Sequence, residues 1–217
     1  MIKRLTEGYY KLQIFARQNI SNKIYFLGPQ HVGKTTLVEE LRKRQPELHL
    51  PNKLKSTAAR SFTFREAQSK IEYSVFDAGG DDEHRWRWFD ALSNYPPIGL
   101  VFVIDHRQNR DVKKSLKQIW GKLDNVKHEQ PTAITRGILV FINKYDLWEN
   151  QTTPQEIIAP IENEISKFDL IGIAPIIRWG SAQYYEKYWK LLDTSFSDFH
   201  RLLFDPLAKT SKWPEKL

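Results

Sequence analysis

Hydrophobic residues recur along this chain with two spacings, about every two residues in some segments and about every 3.6 residues in others. The two longest apolar runs, Ile98 to Ile104 and Gly137 to Ile142, predict central strands that are covered on both faces. Shorter β-prone or alternating stretches predict the other strands, which are residues 23–27, 62–64, 70–76 and 171–177.

Helical spacing of apolar residues falls between these strands. It predicts helices over 34–43, 112–126 and 182–204. Another helix is predicted to begin at Pro154, because Thr153 and Glu156 have the spacing of a capping box and proline suits the first turn. Pro160 should kink that helix or displace its start.

Strands that alternate with helices predict a three-layer α/β fold, with a six-stranded, mostly parallel sheet and helices on both faces. Ligands of such sheets bind beyond the carboxyl ends of the strands. We therefore expect any functional motif of this chain to lie at that edge of the sheet.

Composition narrows the class of protein. The 217 residues suit one domain with extensions, and the absence of cysteine excludes disulfides, thiolate zinc sites, cysteine nucleophiles and cysteine-linked lipid anchors. The apolar runs are far too short to cross a bilayer, so we expect a cytoplasmic protein. The net charge of +7 favours anionic partners without choosing among nucleotides, nucleic acids and acidic membranes.

A phosphate-binding loop is the strongest motif. Residues 28–35 read Gly-Pro-Gln-His-Val-Gly-Lys-Thr, which fits G-x-x-x-x-G-K-[ST] between a predicted strand and a predicted helix. Backbone N–H groups around Gly33 point at an anion, Lys34 adds a charge for the β- and γ-phosphates, and the Thr35 hydroxyl can bind Mg²⁺. The expected phosphate-binding residues are Gln30, His31, Val32, Gly33, Lys34, Thr35, Thr36 and, from the next motif, Gly80.

The sequence Asp-Ala-Gly-Gly at 77–80 follows the predicted strand 70–76. A carboxylate at that strand end can bind the Mg²⁺ shell, and the Gly80 N–H has room to approach a γ-phosphate. Asp-x-x-Gly alone is common, but its position one hairpin after the phosphate loop favours a functional role.

The sequence Asn-Lys-Tyr-Asp at 143–146 follows the predicted strand 137–142. The Asp146 carboxylate can accept hydrogen bonds from both N1–H and the exocyclic amine of guanine. Adenine has an acceptor at N1 and no 2-amino group, so the same carboxylate repels it and selects guanine.

The order of these motifs resembles the small GTPase superfamily over residues 20–205, and thus implies a Ras-like P-loop NTPase fold. Asp-Ala-Gly-Gly at 77–80 and Asn-Lys-Tyr-Asp-Leu at 143–147 are most similar to the Arf/Sar branch, close to the beta subunit of the signal recognition particle receptor. The resemblance implies GTP or GDP bound with Mg²⁺ and two switching segments, 54–64 and 78–92. The implied guanine-binding residues are Asn143, Lys144, Asp146, Ser181 and Ala182, and the implied metal ligands are Thr35, Thr57 and Asp77.

Two switch positions depend on this resemblance. Thr57 is preferred to Thr63 as the metal-binding threonine, because Thr63 falls inside a predicted strand. Asp81 stands where the Arf pattern has a glutamine that orients the attacking water, so hydrolysis is expected to be slow or to depend on a partner. The candidate catalytic residues are Asp81, Gln30 and Gly80. His31 also lies close to the expected γ-phosphate, but a role in filling the loop is favoured for it over placing the water.

Three segments are expected, which are an amphipathic helix at 1–20, a GTPase domain at 21–205 and a basic tail at 206–217. Residues 2–17 form a basic amphipathic stripe that suits either weak, peripheral membrane contact or packing on the core. Around the second switch, aromatic residues suit either the core or a surface for an effector, an exchange factor and an activating protein; they are Phe62, Phe64, Trp86 and Trp88.

The sequence therefore predicts an Arf-type GTPase that switches between GTP and GDP in membrane-associated trafficking or signalling. The alternative is a docking subunit that stays loaded with nucleotide and does not hydrolyse it, which the Asp81 substitution permits. A nucleic-acid partner is not expected, because the net charge of +7 is the only feature that favours one.

Overall fold

A computed structural model describes residues 23–43, 60–65, 72–77, 85–107, 109–130, 135–183, 185–204 and 211–214. The strands are β1 Lys23–Leu27, β2 Arg60–Arg65, β3 Glu72–Asp77, β4 Gly99–Ile104, β5 Gly137–Ile142 and β6 Ala174–Trp179. The α-helices are α1 Lys34–Lys43, α2 Arg85–Asn94, α3 Asn109–Glu129, α4 Pro154–Ile158, α5 Glu162–Leu170 and α6 Tyr185–Phe204. Short 3-10 turns cover Tyr145–Leu147 and Ala159–Ile161.

The six strands form one sheet in the order β2-β3-β1-β4-β5-β6. Every neighbouring pair is parallel except β2 and β3, which form an antiparallel pair. This arrangement confirms the predicted α/β fold with a mostly parallel sheet. The carboxyl ends of β1, β3, β4, β5 and β6 consequently meet at one edge, where ligands of such sheets bind.

Two apolar cores cover the two faces of the sheet. The central strands divide their side chains between them, so that Leu100 and Phe102 of β4 lie in one core and Val101 and Val103 lie in the other. Helices α2, α3, α4 and α5 contribute to the first core, and α1 and α6 contribute to the second. Because β4 and β5 are buried along their whole length, both read as unbroken apolar runs.

The predicted strand at 171–177 is misplaced. Strand β6 is Ala174–Trp179, and α5 extends to Leu170. Gly172 has a φ of 73° and its N–H donates to the Asp169 carbonyl over 3.0 Å, so these residues close the helix rather than begin a strand. Ile171 and Ile173 are buried from this turn, which explains why the apolar run looked like a longer strand.

Local signals around Pro154 are confirmed. The Thr153 side chain accepts a hydrogen bond from the Glu156 N–H, and the Glu156 side chain accepts one from the Thr153 N–H, so the capping box is complete. Pro160 lies in the 3-10 turn that separates α4 from α5, as expected of a residue that cannot continue a helix. The last predicted helix is shorter than expected, because α6 begins at Tyr185 rather than at residue 182.

Residues 211–214 lie along the outer edge of β6. The Ile177 N–H donates to the Lys212 carbonyl over 2.7 Å, which gives this edge strand a partner. The Arg178 guanidinium is buried and donates to the carbonyls of Ser211 and Lys212, while it also pairs with Asp198 of α6 at 2.7 Å. Trp213 packs against the first core.

Within the described residues, no helix is long and apolar enough to cross a membrane.

Candidate functional site

The phosphate-binding loop lies between β1 and α1, at the carboxyl edge of the sheet. Lys34 begins α1 and is buried, and its ammonium donates to the carbonyls of Gly28 and Pro29 over 2.9 and 2.7 Å. These bonds hold the charge inside the curve of the loop. A buried ammonium at a helix N-terminus is a site that suits an anion such as phosphate.

Two glycines let this loop pass close to its neighbours. Gly28 has a φ of 142°, and a Cβ there would stand 2.2 Å from the Val103 carbonyl oxygen of β4. Gly33 has a φ of 88°, and a Cβ there would stand 2.4 Å from Asn143 Nδ2. His31 also has a positive φ, of 63°, and its side chain is exposed, as is that of Gln30. Val32 is fully buried, whereas Thr35 and Thr36 are exposed at the start of α1.

Asn143 joins the phosphate loop to the loops after β5 and β6. It is 2% exposed, its Nδ2 donates to the Val32 carbonyl over 2.8 Å, and its Oδ1 accepts from the Ala182 N–H at 3.1 Å. The Trp148 indole donates to the Asn143 carbonyl over 3.1 Å and so supports it from the first core. One amide thus fixes three segments that the sequence alone could only place at the same edge.

Asp146 and Ser181 are brought together in the way the motif order predicts. Asp146 lies in the 3-10 turn after β5, partly exposed, and its carboxylate accepts a hydrogen bond from the Ser181 hydroxyl. The Tyr145 N–H donates to the Gly180 carbonyl over 3.0 Å, which holds the two loops side by side. The five expected guanine-binding residues therefore form one cluster.

Lys144 links this cluster to the phosphate loop. Its backbone is left-handed, with a φ of 60°, and its ammonium donates to the His31 carbonyl over 2.7 Å. The same ammonium lies 2.7 Å from Asp105 Oδ2. Asp105 was not among the residues that sequence reasoning selected.

Asp105 follows β4 directly and is 1% exposed. Its carboxylate accepts from the Arg107 N–H over 3.1 Å and from the Arg107 guanidinium over 3.3 and 3.1 Å. Burial by itself would raise the pKa of this carboxyl, but the hydrogen bonds from Arg107 and Lys144 outweigh it and lower the pKa to about 2. A signal was present in the sequence, since an acid immediately after a buried strand lies beside the end of the next parallel strand.

The oxygen donors expected for Mg²⁺ fit that ion by their chemistry. Thr35 lies at the start of α1, and Asp77 ends β3 in register with Phe26 of the neighbouring β1. A hydroxyl and a carboxylate are hard oxygen ligands, and Mg²⁺ binds through few of them when phosphate and water supply the rest. The remaining expected site residues, Thr57, Gly80 and Asp81, lie outside the described residues.

The two tryptophans of α2 have different environments. Trp88 is fully buried in the first core, which favours the core interpretation for that residue. Trp86 is 60% exposed, and the Arg87 guanidinium lies 5.5 Å from the centre of its ring. Phe62 and Phe64 lie in β2, at the outer edge of the sheet.

These features define a protein with a phosphate-loop motif after β1 and with loops after β5 and β6 whose sequences match guanine-type motifs. A model of the ADP-ribosylation factor family matches residues 10–180. That match covers more than half of the chain, so the chain belongs to the ADP-ribosylation factor (Arf) family.

A relative in sequence is the small COPII coat GTPase SAR1 of Encephalitozoon cuniculi. It is 29% identical over 149 residues, which are 66% of this chain and 60% of that protein. The chain thus spans about 60% of the length of the relative it matches.

Two solved structures have a similar fold. A chain of the signal recognition particle receptor SRb-GTP/SRX complex from Chaetomium thermophilum has a TM-score of 0.58 at 13% identity, covering 74% of this chain and 93% of that one. The Arl6 BBS3 small GTPase from Trypanosoma brucei, with a bound nucleotide analogue, has a TM-score of 0.55 at 19% identity, covering 82% and 95%. At these identities the likeness concerns the fold.

Proposed function

We propose that this Arf-family chain is a switch that binds GTP or GDP with Mg²⁺ and hydrolyses GTP slowly. The observation that carries the proposal is the Asn143 side chain, which bonds both to the phosphate loop at Val32 and to the base loop at Ala182. A phosphate site and a base site that share one buried amide lie at a fixed separation. Such a pair suits one ligand with a phosphate end and a base end.

The guanine end of that ligand would be read by Asp146. Its carboxylate is held by the Ser181 hydroxyl and stays partly exposed, so it can accept from N1–H and the 2-amino group of guanine. The Ala182 N–H, proposed to meet guanine O6, donates to Asn143 Oδ1 in this structure. Binding of the base would therefore require that N–H to be shared or exchanged.

The phosphate end would lie against the N-terminus of α1. Lys34 and the backbone around Gly33 would bind the β- and γ-phosphates, with Gln30, His31, Val32 and Thr36 completing the loop. Thr35, Asp77 and Thr57 would hold Mg²⁺, which supplies positive charge to phosphate oxygens as charge develops in the transition state. Gly80 would donate its N–H to the γ-phosphate.

Slow hydrolysis follows from Asp81. A neutral glutamine can orient the attacking water without opposing charge, whereas a carboxylate near a γ-phosphate adds repulsion. Gln30 is exposed in the phosphate loop and could help to place the water. The same Asp81 observation favours a second candidate function, a docking subunit that stays loaded with GTP.

Partners would bind around the second switch. An exposed tryptophan is typical of protein interfaces, so Trp86 is proposed to contact an effector or a regulator. Phe62 and Phe64 of β2, which lie within the first switching segment, are proposed to belong to the same surface. Trp88 is excluded from that surface by its burial. Peripheral attachment to a membrane through residues 2–17 remains part of the proposal, and those residues lie outside the described ones.

Exchange of Asp146 for Asn tests the guanine assignment. The variant loses the charged acceptor for N1–H and the 2-amino group, so GDP should bind about 100-fold to 10,000-fold more weakly. Xanthosine diphosphate carries a carbonyl in place of the amine and should bind the variant better than GDP does. Titration of nucleotide-free protein with each nucleotide in the presence of Mg²⁺ measures both effects.

Glu149→Gln is the matched control, because it makes the same change of charge three residues away. The Glu149 carboxylate pairs with Lys187 and Tyr188 instead of facing the base loop. Its nucleotide preference should remain that of the unaltered protein. Unchanged GDP affinity in Asp146→Asn would remove Asp146 from the base site.

A further inference from the structure

Asp105 lies where the phosphate loop and the base loop meet, yet it belongs to neither motif. Asp105 follows Ile104, the last residue of β4. The Ile104 carbonyl accepts a hydrogen bond of 2.9 Å from the N–H of Asn143, which begins the base loop. The Asp105 carboxylate is 1% exposed and faces the Lys144 ammonium at 2.7 Å. The same ammonium reaches across to the His31 carbonyl.

We propose that Asp105 is a positioning residue for nucleotide retention, which acts by holding Lys144 as a clamp between the base loop and the phosphate loop. The inference rests on the proposed guanine-nucleotide site. Asp105 itself is not a ligand of the nucleotide, since both of its oxygens are already occupied by Arg107 and Lys144.

The clamp depends on the charge of Asp105. Lys144 has a left-handed backbone, which is unusual for a residue with a β-carbon and needs support from its surroundings. Its ammonium bonds to one carbonyl and to one carboxylate, and the carboxylate is the stronger partner. Without that charge the ammonium would gain by turning to water, and the His31 contact would be lost with it.

A purely local role for Asp105 is the competing explanation. The bond from the Arg107 N–H to Oδ1 spans two residues and forms an Asx turn, which many aspartates make for structural reasons. That turn uses Oδ1, however, whereas Lys144 bonds to Oδ2. An asparagine whose amide oxygen keeps the Oδ1 bond to the Arg107 N–H places its NH2 group at the Oδ2 position, where it cannot accept from the Lys144 ammonium. That variant therefore keeps the turn and loses the bond to Lys144.

The test is the rate at which a fluorescent GDP analogue leaves the protein with Mg²⁺ present. Asp105→Asn should release the nucleotide on the order of tenfold faster, because a hydrogen bond between charged groups has been lost. Asp105→Ser also keeps a turn acceptor without a charge, and it gives the same test if the Asn variant does not fold. Thermal unfolding of each variant is measured alongside.

Glu164→Gln is the matched control for general loss of stability. Glu164 is also a buried carboxylate paired with one lysine, Lys167, at 2.6 Å, but it lies in α5. Its release rate should equal that of the unaltered protein even if its melting temperature falls. In a Lys144→Met background, Asp105→Asn should change the rate by less than about twofold, since the residue acts through Lys144.

The clamp is supported if Asp105→Asn releases the GDP analogue faster than the unaltered protein while Glu164→Gln does not. The effect of Asp105→Asn must also disappear in the Lys144→Met background. Unchanged release from Asp105→Asn overturns it, as does acceleration that merely follows the melting temperature in both carboxylate variants. An unaltered protein that binds no GDP analogue would overturn the proposed function and this inference together. Normal binding with an unresponsive Asp105 variant would overturn the inference alone.

Discussion

Gly28 shows how a single residue decides whether the phosphate loop can form. Its φ of 142° and the position of a Cβ only 2.2 Å from the Val103 carbonyl oxygen exclude any side chain. The obstacle is the backbone of a central strand, which cannot move aside. Gly28→Ala should therefore lower the free energy of unfolding by about 3 kcal/mol or more, measured by urea denaturation.

Gly121 offers the matched control for that prediction. It lies in the middle of α3, and a Cβ there would meet nothing within 4 Å. Gly121→Ala should raise the free energy of unfolding by about 0.5 to 1 kcal/mol, because alanine favours the helix. A similar loss of stability in both variants would contradict the argument from close approach.

At this scale, the sequence allows candidate residues to be selected where they belong to a local motif. Lys34, Asn143 and Asp146 stand at fixed spacings from glycines or strand ends, and the structure places them at one edge of the sheet. Asp105 belongs to no such motif, and it pairs with a lysine that lies 39 residues away in the chain. Only the register of β4 and β5 brings the two together.

Elements were predictable where periodicity was strong. The buried runs of β4 and β5 were recognised because both faces of these strands are covered, and α4 was recognised by its capping box. The boundary between α5 and β6 was missed, because Ile171 and Ile173 are buried from a turn and look like strand residues in the sequence. The sequence pattern thus predicted correctly that Ile171 and Ile173 are buried, but it predicted a strand where the backbone forms a turn.

The outer edge of strand β6 is covered by residues 211–214, which are held by the Arg178 side chain as well as by the Ile177 N–H. Arg178 donates to the carbonyls of Ser211 and Lys212, so Arg178→Met removes two bonds that hold residues 211–214. Trypsin should then cleave after Lys212 about tenfold faster, since cleavage follows the population of the open form. Mass spectrometry of the products over time measures the rate.

Lys187→Met is the control for this experiment. It removes an ion pair with Glu149 on the surface and leaves the bonds to residues 211–214 intact. Cleavage after Lys212 should keep its original rate in that variant. Equal rates in Arg178→Met and the unaltered protein would show that residues 211–214 hold their place without the guanidinium.

At the scale of the whole molecule, the layered fold could be predicted from the alternation of strands and helices in the sequence. The parallel topology explains why the motifs lie at one edge of the sheet. Strands β3, β1, β4, β5 and β6 are neighbours in the sheet and all run in the same direction. The motifs that follow their carboxyl ends therefore lie at the same edge of the sheet. The sheet order supports the fold, whereas the Arf family is shown by the family model that matches residues 10–180. The hydrolysis rate and the partners could not be predicted in this way, because neither follows from hydrophobic periodicity or from sheet order.

The central claim is that this chain selects a guanine nucleotide, and one competition experiment tests it most directly. Purified protein is incubated with equal amounts of GDP and ADP in Mg²⁺, freed of unbound nucleotide and denatured, and the released nucleotide is separated by chromatography. We predict GDP at close to one equivalent per chain, with ADP at background. Release of ADP, or of neither nucleotide, would contradict the assignment of Asp146 and the phosphate loop to one guanine-nucleotide site.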